Sequence, residues 1–219
     1  MFLHGYLSSK EAFTAQLRYF SKFYRVTAID FVGFGQSAPL TQAFSVEDYA
    51  VWTKEVLHLL GVRHPHVIAH SFGCRVAVKL ASQQPDFFDK ILLTGAAGIV
   101  LRRGFSYRCK VKIYRFVRRF APRYAERHFG SAEYRTLSPV MKESYKKIVN
   151  EDLRDDAQRV ENEVLLVQGG DDTTTLKAAA EVYLACLKRG RLKMMDGGHF
   201  AFAQYPLAFN IIAEEFFYG

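Results

Sequence analysis

Short runs of β-branched and apolar residues alternate with helix-length amphipathic stretches along most of the 219-residue chain. This alternation is typical of β–α units and predicts an α/β fold with a mostly parallel, twisted sheet of about six strands flanked by helices. The predicted strands are Phe2–His4, Arg25–Asp30, His66–His70, Lys90–Thr94, Val164–Gln168 and Arg191–Met195. The predicted helices are Ser9–Phe20, Val46–Leu60, Phe72–Gln84, Thr175–Leu187 and Phe202–Phe217.

The alternation stops between residues 98 and 160, where helical periodicity continues without a convincing strand. We interpret this block as a helical lid inserted into a core made of residues 1–97 and 161–219. Between Arg102 and Arg127 it carries ten Lys or Arg against one acid, Glu126. A solvated helix face is the simplest interpretation of this charge, and attraction of an anionic acyl substrate or peripheral contact with a membrane surface is the alternative.

The composition excludes several classes of protein. Hydrophobic residues make up 49% and charged residues 24%, as in ordinary globular proteins. No apolar run is long enough to span a bilayer, and no secretory signal is recognisable, so we expect a cytoplasmic protein without stable membrane insertion. The odd, scattered cysteines Cys74, Cys109 and Cys186 predict reduced thiols. We expect no metal and no cofactor, and the net charge of +8 comes without a nucleic-acid-binding module.

Ser71 stands between a predicted strand and a predicted helix, in the segment Ala69-His-Ser-Phe-Gly73. Small residues two positions before and after the serine permit a sharp, strained turn that projects its hydroxyl above the sheet, which is the geometry of a nucleophile elbow. The alternative is a serine that only caps the following helix. Ser71 is therefore the candidate nucleophile.

A candidate acid and a candidate base follow the last two predicted strands. Asp171 and Asp172 come directly after Val164–Gln168 and two glycines, and either could orient a base or cap the next helix. His199 follows Gly197-Gly198 in a loop just beyond the last strand, which favours a catalytic imidazole over a buried core histidine. A neutral serine needs such a base to take its proton during attack.

Acyl transfer through serine also needs donors for the oxyanion of its tetrahedral intermediate. The backbone N–H of Phe72, next to the nucleophile, is one candidate. The second is the N–H of Tyr6, because His4-Gly5 lets the chain turn after the first strand and point that N–H at the same place. These two N–H groups form the predicted oxyanion hole.

In this order the motifs resemble the α/β-hydrolase superfamily over almost the whole chain outside the insertion. They are Phe2-Leu-His-Gly-Tyr6, Asp30-Phe-Val-Gly-Phe-Gly-Gln-Ser37, Ala69-His-Ser-Phe-Gly73, Gly169-Gly-Asp-Asp172 and Gly197-Gly-His199. The chain is most similar to small lidded esterase, lipase-like and peptidase-like enzymes. The resemblance implies a serine esterase or lipase-like hydrolase with Ser71, Asp172 and His199 as its catalytic triad, because the family's acid falls three residues after the glycine that ends the strand; Asp171 is the second choice.

The sequence departs from the family pattern in four places. Ala69 and Cys74 replace common glycines, and Asp172 precedes three threonines rather than a proline-bearing turn. The chain also begins at the His-Gly strand, whereas two antiparallel strands precede this strand in the family. We therefore expect Arg25–Asp30 to be an exposed edge of the sheet.

Other functions remain to be weighed. Gly33-Phe-Gly35 resembles part of a dinucleotide-binding turn, but Pro39 follows and no helix is predicted there to receive a pyrophosphate. The fold also permits a non-catalytic ligand-binding or membrane-surface protein, since fold does not determine function. The resembling family includes triad enzymes for C–C bond hydrolysis and perhydrolysis. The sequence predicts a small-molecule acyl substrate and a monomer or homodimer.

Overall fold

A six-stranded, entirely parallel sheet forms the centre of the protein, in the order β2-β1-β3-β4-β5-β6. The computed structural model describes residues 1–101 and 132–219. The strands are β1 (Phe2–Leu3), β2 (Ala28–Ile29), β3 (Val67–His70), β4 (Ile91–Thr94), β5 (Val164–Gly169) and β6 (Gly190–Met195). All six predicted strands are present, and the α/β fold class is confirmed.

Helices cover both faces of this sheet. A 3₁₀ helix, Lys10–Phe13, precedes α1 (Thr14–Phe20), and the other helices before the insertion are α2 (Val46–Leu59) and α3 (Phe72–Gln83). After residue 131 the described helices are α4 (Ala132–Thr136), α5 (Pro139–Asn150), α6 (Arg154–Arg159), α7 (Lys177–Cys186), α8 (Ala201–Gln204) and α9 (Pro206–Tyr218).

The core consists of two apolar layers, one on each side of the sheet. Alternate strand residues enter opposite layers, as the two-residue side-chain period of a strand requires. Ala69 and Leu93 pack with α2, α3 and α7, whereas Ile68 and Leu92 pack with α1 and α9. Both faces of the sheet are thus covered by apolar side chains. Polar residues such as Ser71 and Asp172 lie at the carboxyl ends of the strands.

Local sequence signals explain where several helices begin and end. Ser45 accepts a hydrogen bond from the N–H of Asp48, whose carboxylate accepts from the N–H of Ser45, so α2 begins in a capping box. Gly61, at φ +64°, lies just beyond the end of α2, where glycine readily ends a helix. The predicted helix Phe202–Phe217 is instead divided at Tyr205, because the residue before Pro206 is disfavoured in helical conformation.

Two sequence predictions concern the edge of the sheet and the glycine-rich turn. β2 lies at the sheet edge, as expected, but it is only two residues long. Gly33 and Gly35 have positive φ values, and the next helix after them is α2, which begins eleven residues later at Val46. The turn therefore places no helix N-terminus at these glycines.

From residue 132 to residue 160 the predicted insertion is mostly helical. Its last helix, α6, packs against α3, where Lys79 Nζ lies 2.7 Å from the buried Asp156 carboxylate. That carboxylate also accepts a hydrogen bond from Ser82. The basic segment Arg102–Arg127 lies outside the described residues, as does Cys109, and the lid boundary at 98–160 stays a prediction.

Three further observations apply to residues 1–101 and 132–219. Cys74 and Cys186 are free thiols. None of the helices in these ranges is long and apolar enough to cross a membrane. Within the same ranges, no group of three or more His, Cys, Asp or Glu side chains is arranged to hold a metal ion.

Candidate active site

Ser71 occupies the sharp turn between β3 and α3. Its backbone has φ 49° and ψ −108°, a region that side-chain-bearing residues rarely adopt. Its hydroxyl makes no capping hydrogen bond to α3, so helix capping does not explain the serine. A Cβ built on Gly73 would lie 2.3 Å from the carbonyl oxygen of Leu3, which is why only glycine fits where α3 crosses the end of β1.

Asp172 and His199 meet at the carboxyl end of the sheet. Asp172 follows β5, His199 follows β6, and His199 Nδ1 lies 2.9 Å from Asp172 Oδ2. The Asp172 side chain is completely buried, while that of His199 is 13% exposed. Because an ionised carboxylate only accepts hydrogen bonds, Nδ1 carries the proton and Nε2 is left as the basic nitrogen.

Several donors hold the Asp172 carboxylate in place. Oδ1 accepts from the N–H groups of Thr174 and Thr175 at 2.8 and 2.9 Å, and Oδ2 accepts from the Thr175 hydroxyl at 2.6 Å. Burial would raise the pKa of Asp172, but hydrogen bonds from His199 and from the hydroxyl and N–H of Thr175 outweigh it and hold this pKa well below its usual range. The carboxylate is therefore charged at neutral pH.

Asp171 has a different environment. Its side chain is exposed, and its N–H donates to the carbonyl of Gly197. Neither aspartate is the cap of α7, which is preceded by Leu176. Of the two candidate acids, the structure brings Asp172 to His199.

The predicted oxyanion-hole residues lie beside Ser71. The rings of Tyr6 and Phe72 are 5.7 Å apart between centroids, and a Cβ built on Gly5 would be 3.5 Å from Ser71 Cβ. No main-chain carbonyl among the described residues accepts a hydrogen bond from the N–H of Tyr6 or Phe72. Their role as oxyanion donors stays a prediction.

His4 fixes the loop that carries Tyr6. Its Nε2 accepts from the N–H of Phe31 at 3.0 Å, so its Nδ1 is the protonated nitrogen, and this Nδ1 lies 2.7 Å from the carbonyl of Gly5. Burial lowers the pKa of His4, which favours the neutral ring. His4 is therefore a structural histidine of the loop.

His70 supports the loop that carries His199. Its Nε2 donates to the carbonyl oxygen of His199 at 3.0 Å, and the two rings lie 4.7 Å apart. Burial lowers the pKa of His70 to about 3, and the neighbouring His199 acts in the same direction. The ring is therefore neutral, and its buried Nδ1 has no hydrogen-bond partner among the described residues.

A cavity of about 730 Å³ opens above these groups. Ser71, His199, Tyr6 and Phe72 all line it, so the structure brings the predicted nucleophile, base and oxyanion residues to one space. Its far wall comes from residues 96–101 and from α5, with apolar side chains that include Ile99, Leu101 and Ile148. This size and lining suit a small or medium organic ligand.

Sequence reasoning missed two residues of this site. Thr175 anchors the carboxylate of Asp172, and the available signal was a hydroxyl residue three positions after an aspartate in a loop, a common local hydrogen-bonding pattern. Arg75 lines the cavity one helical turn after Ser71. Its signal was a charged residue one turn after the candidate nucleophile, between apolar residues of the helix Phe72–Gln83.

Two curated proteins with sequences similar to part of this chain are named as a hydrolase and a probable lysophospholipase. An Acinetobacter baylyi (E)-2-((N-methylformamido)methylene)succinate hydrolase is 30% identical over 89 residues, covering 41% of this chain and 34% of its own. A probable lysophospholipase, BODYGUARD 3 of Arabidopsis thaliana, is 31% identical over 99 residues, covering 42% and 20%. The matches thus span about a third or less of these relatives' lengths.

Similarity in structure covers the whole chain. An esterase from Exiguobacterium antarcticum superposes with a TM-score of 0.80 at 19% identity, covering 100% of this chain and 91% of the esterase. The family model described as the α/β hydrolase fold matches residues 1–132, more than half of the chain. The chain belongs to the α/β-hydrolase superfamily.

Proposed function

We propose that this protein is a serine hydrolase that cleaves a carboxylic ester or another acyl bond of a small-molecule substrate. The observation that carries the proposal is the 2.9 Å contact of the buried Asp172 carboxylate with His199, which lines the same cavity as Ser71 on its strained turn. Membership of the α/β-hydrolase superfamily supports it. The relatives named as a succinate-derivative hydrolase, a probable lysophospholipase and an esterase add support.

The proposed reaction has two halves. In the first, Ser71 Oγ attacks the substrate carbonyl while His199 Nε2 takes its proton and passes it to the leaving group. Asp172 keeps the proton on Nδ1 and stabilises the imidazolium, and the N–H groups of Tyr6 and Phe72 receive the oxyanion. In the second, water attacks the acyl-enzyme with His199 again as base, and the carboxylic acid and free Ser71 result.

The different burial of Asp172 and His199 is consistent with their proposed roles. The Asp172 carboxylate is inaccessible and fully hydrogen-bonded, so it is suited to orient a base rather than to attack a substrate. His199 is partly exposed to the cavity, as a proton carrier must be. The lid over residues 98–160 and the cytoplasmic location predicted from the sequence are part of the same proposal.

Fluorophosphonate labelling of the purified protein tests the proposal. The wild type should be labelled at Ser71 and should hydrolyse p-nitrophenyl esters, with the preferred chain length reporting the length of the cavity. Ser71→Ala should do neither, while Ser37→Ala, which changes a serine in the turn after β2, should label like the wild type. A folded wild type without labelling or turnover would overturn the proposal in favour of a non-catalytic binding protein.

A further inference from the structure

Arg75 is a buried cation in the proposed catalytic cavity. It lies on α3, four residues after Ser71, which immediately precedes the first residue of that helix. The residue is only 7% exposed, and it lines the cavity shared by Ser71 and His199. Its Nη1 donates to the carbonyl oxygen of Glu151 at 2.7 Å.

The nearby carboxylates are committed to other partners. Glu151 lies 2.9 Å from Lys79 Nζ, and Asp152 pairs with Arg154 while accepting from the N–H of Val100. Within residues 1–101 and 132–219, no carboxylate oxygen lies within 4 Å of the Arg75 guanidinium. The hydrogen-bond partner of Arg75 among the described residues is therefore a neutral main-chain carbonyl. A buried cation is ordinarily paired with an anion.

Burying the Arg75 guanidinium without a counter-ion is unfavourable, and an anionic ligand in the cavity would supply one. A guanidinium carries five N–H donors, and removing its charge from water without a counter-ion is strongly unfavourable. Burial lowers the pKa of Arg75, while Tyr183, Glu151 and Asp152 act to raise it. The apolar wall of the cavity, including Ile99 and Ile148, would strengthen an ionic hydrogen bond made there.

We propose that Arg75 binds a carboxylate of the substrate, so that the enzyme acts on esters carrying a carboxylate a few bonds from the scissile carbonyl. The planar guanidinium offers two parallel N–H donors to a carboxylate, which a lysine could not do. This inference rests on the proposed hydrolase function and adds the substrate class. The carboxylate belongs either to the acyl part or to the alcohol part of the ester.

Binding to the Ser71→Ala protein tests the inference without turnover. Isothermal titration would compare monomethyl glutarate with methyl pentanoate, which carries a methyl group where the first has a carboxylate on the acyl side. A second pair, 4-acetoxybutanoate and butyl acetate, moves the carboxylate to the alcohol side. We expect one charged ester to bind about 10- to 100-fold more tightly than its neutral partner, the range of a charge-assisted hydrogen bond.

Variants of Arg75 identify the residue responsible. Arg75→Met in the Ser71→Ala background should abolish the preference for the charged ester, and Arg75→Lys should keep a reduced preference because it retains charge without the planar donor pair. Arg189→Met, which removes an exposed arginine of the Glu163 ion pair, is the matched control and should keep the full preference. If Arg75→Met does not fold, the preference for the charged ester is compared between Arg75→Lys and Arg75→Gln instead.

Two results would overturn the inference. One is equal affinity for the charged and neutral esters in both pairs; the other is a preference that persists in Arg75→Met. The melting temperature of Arg75→Met reports separately on the structural part of this arginine, its hydrogen bond to the Glu151 carbonyl. Fluorophosphonate labelling of the wild type reports separately on the hydrolase function, so the two failures are distinguishable.

Discussion

Two adjacent aspartates show how strongly the role of a carboxylate depends on its surroundings. Asp171 is exposed, whereas Asp172 is buried against His199 and accepts hydrogen bonds from Thr174 and Thr175. The same loop geometry explains why α7 begins at Lys177 rather than at the predicted Thr175, since the N–H groups of both threonines are directed to Asp172. Residue identity alone did not distinguish the two acids.

Replacement of each aspartate by asparagine separates their roles. Asp172→Asn should lower kcat by about 10³- to 10⁴-fold, because an amide facing His199 no longer holds the proton on Nδ1. Asp171→Asn should retain nearly all activity. Hydrolysis of a p-nitrophenyl ester and the rate of fluorophosphonate labelling would measure both effects, and equal activity of the two variants would contradict the choice of Asp172.

Among the residues of the candidate site, those that belong to recognisable sequence motifs could be predicted. Ser71 and His199 were found from small neighbours and loop position, and the structure places both on one cavity. Arg75, Thr175 and the contact of His70 with the His199 carbonyl were not found, because each depends on which segments the fold brings together. No local pattern in the sequence indicates that the Glu151 carbonyl would accept a hydrogen bond from Arg75.

Elements were predicted well wherever the hydrophobic period was clear and less well at their ends. The central strands β3, β4 and β5 agree with the prediction to within a residue, because buried parallel strands are continuous apolar runs. The edge strand was predicted as Arg25–Asp30 but is only Ala28–Ile29, since an edge strand has a neighbour on one side alone. The break before Pro206 was readable from the sequence and was overlooked.

The contact of α3 with β1 gives a prediction for the element that carries the nucleophile. Alanine normally favours a helix over glycine by about 1 kcal/mol. At Gly73 the sign should reverse, because the new Cβ would meet the Leu3 carbonyl at 2.3 Å and the helix would have to move away from β1. We expect Gly73→Ala to lower the free energy of unfolding by roughly 1–3 kcal/mol and to reduce labelling of Ser71.

Gly170→Ala is the matched control for this substitution. A Cβ there would lie 3.6 Å from the Met195 carbonyl, an ordinary van der Waals contact. Its unfolding free energy should stay close to that of the wild type in urea titrations. A Gly73→Ala protein as stable and as reactive as Gly170→Ala would show that the approach of α3 to β1 does not constrain the nucleophile.

For the whole molecule, the buried histidines link the two segments that build the site. His70 is the last residue of β3, and its ring donates a hydrogen bond to the main-chain carbonyl of His199, which follows β6. Residues distant in the chain are thus joined through a neutral ring. The groups facing His70 are His199, His4 and Asp172. Burial of the His70 and His4 rings makes the stability of the fold sensitive to acid.

The direction of this sensitivity follows from proton linkage. The pKa of His70 falls from 6.5 to about 3 on folding, so between these values the unfolded chain binds a proton that the folded chain does not. Stability from this residue is therefore fully present above pH 6.5 and is lost as the pH falls toward 3, by about 1.4 kcal/mol per pH unit. The lowered pKa of His4 adds to the same trend, whereas the lowered pKa of Asp172 matters only at more acidic pH, because its ordinary value is 3.8.

Urea unfolding between pH 7.5 and 4.5 measures this contribution. His70→Gln keeps an amide N–H for the His199 carbonyl but cannot take up a proton in this range, so its unfolding free energy should fall less steeply with acid than that of the wild type. His58→Gln, at an exposed position of α2, should follow the wild type. If His70→Gln and the wild type lose stability in parallel, then His70 is protonated in the folded protein, and the neutral ring that supports His199 would have to be abandoned.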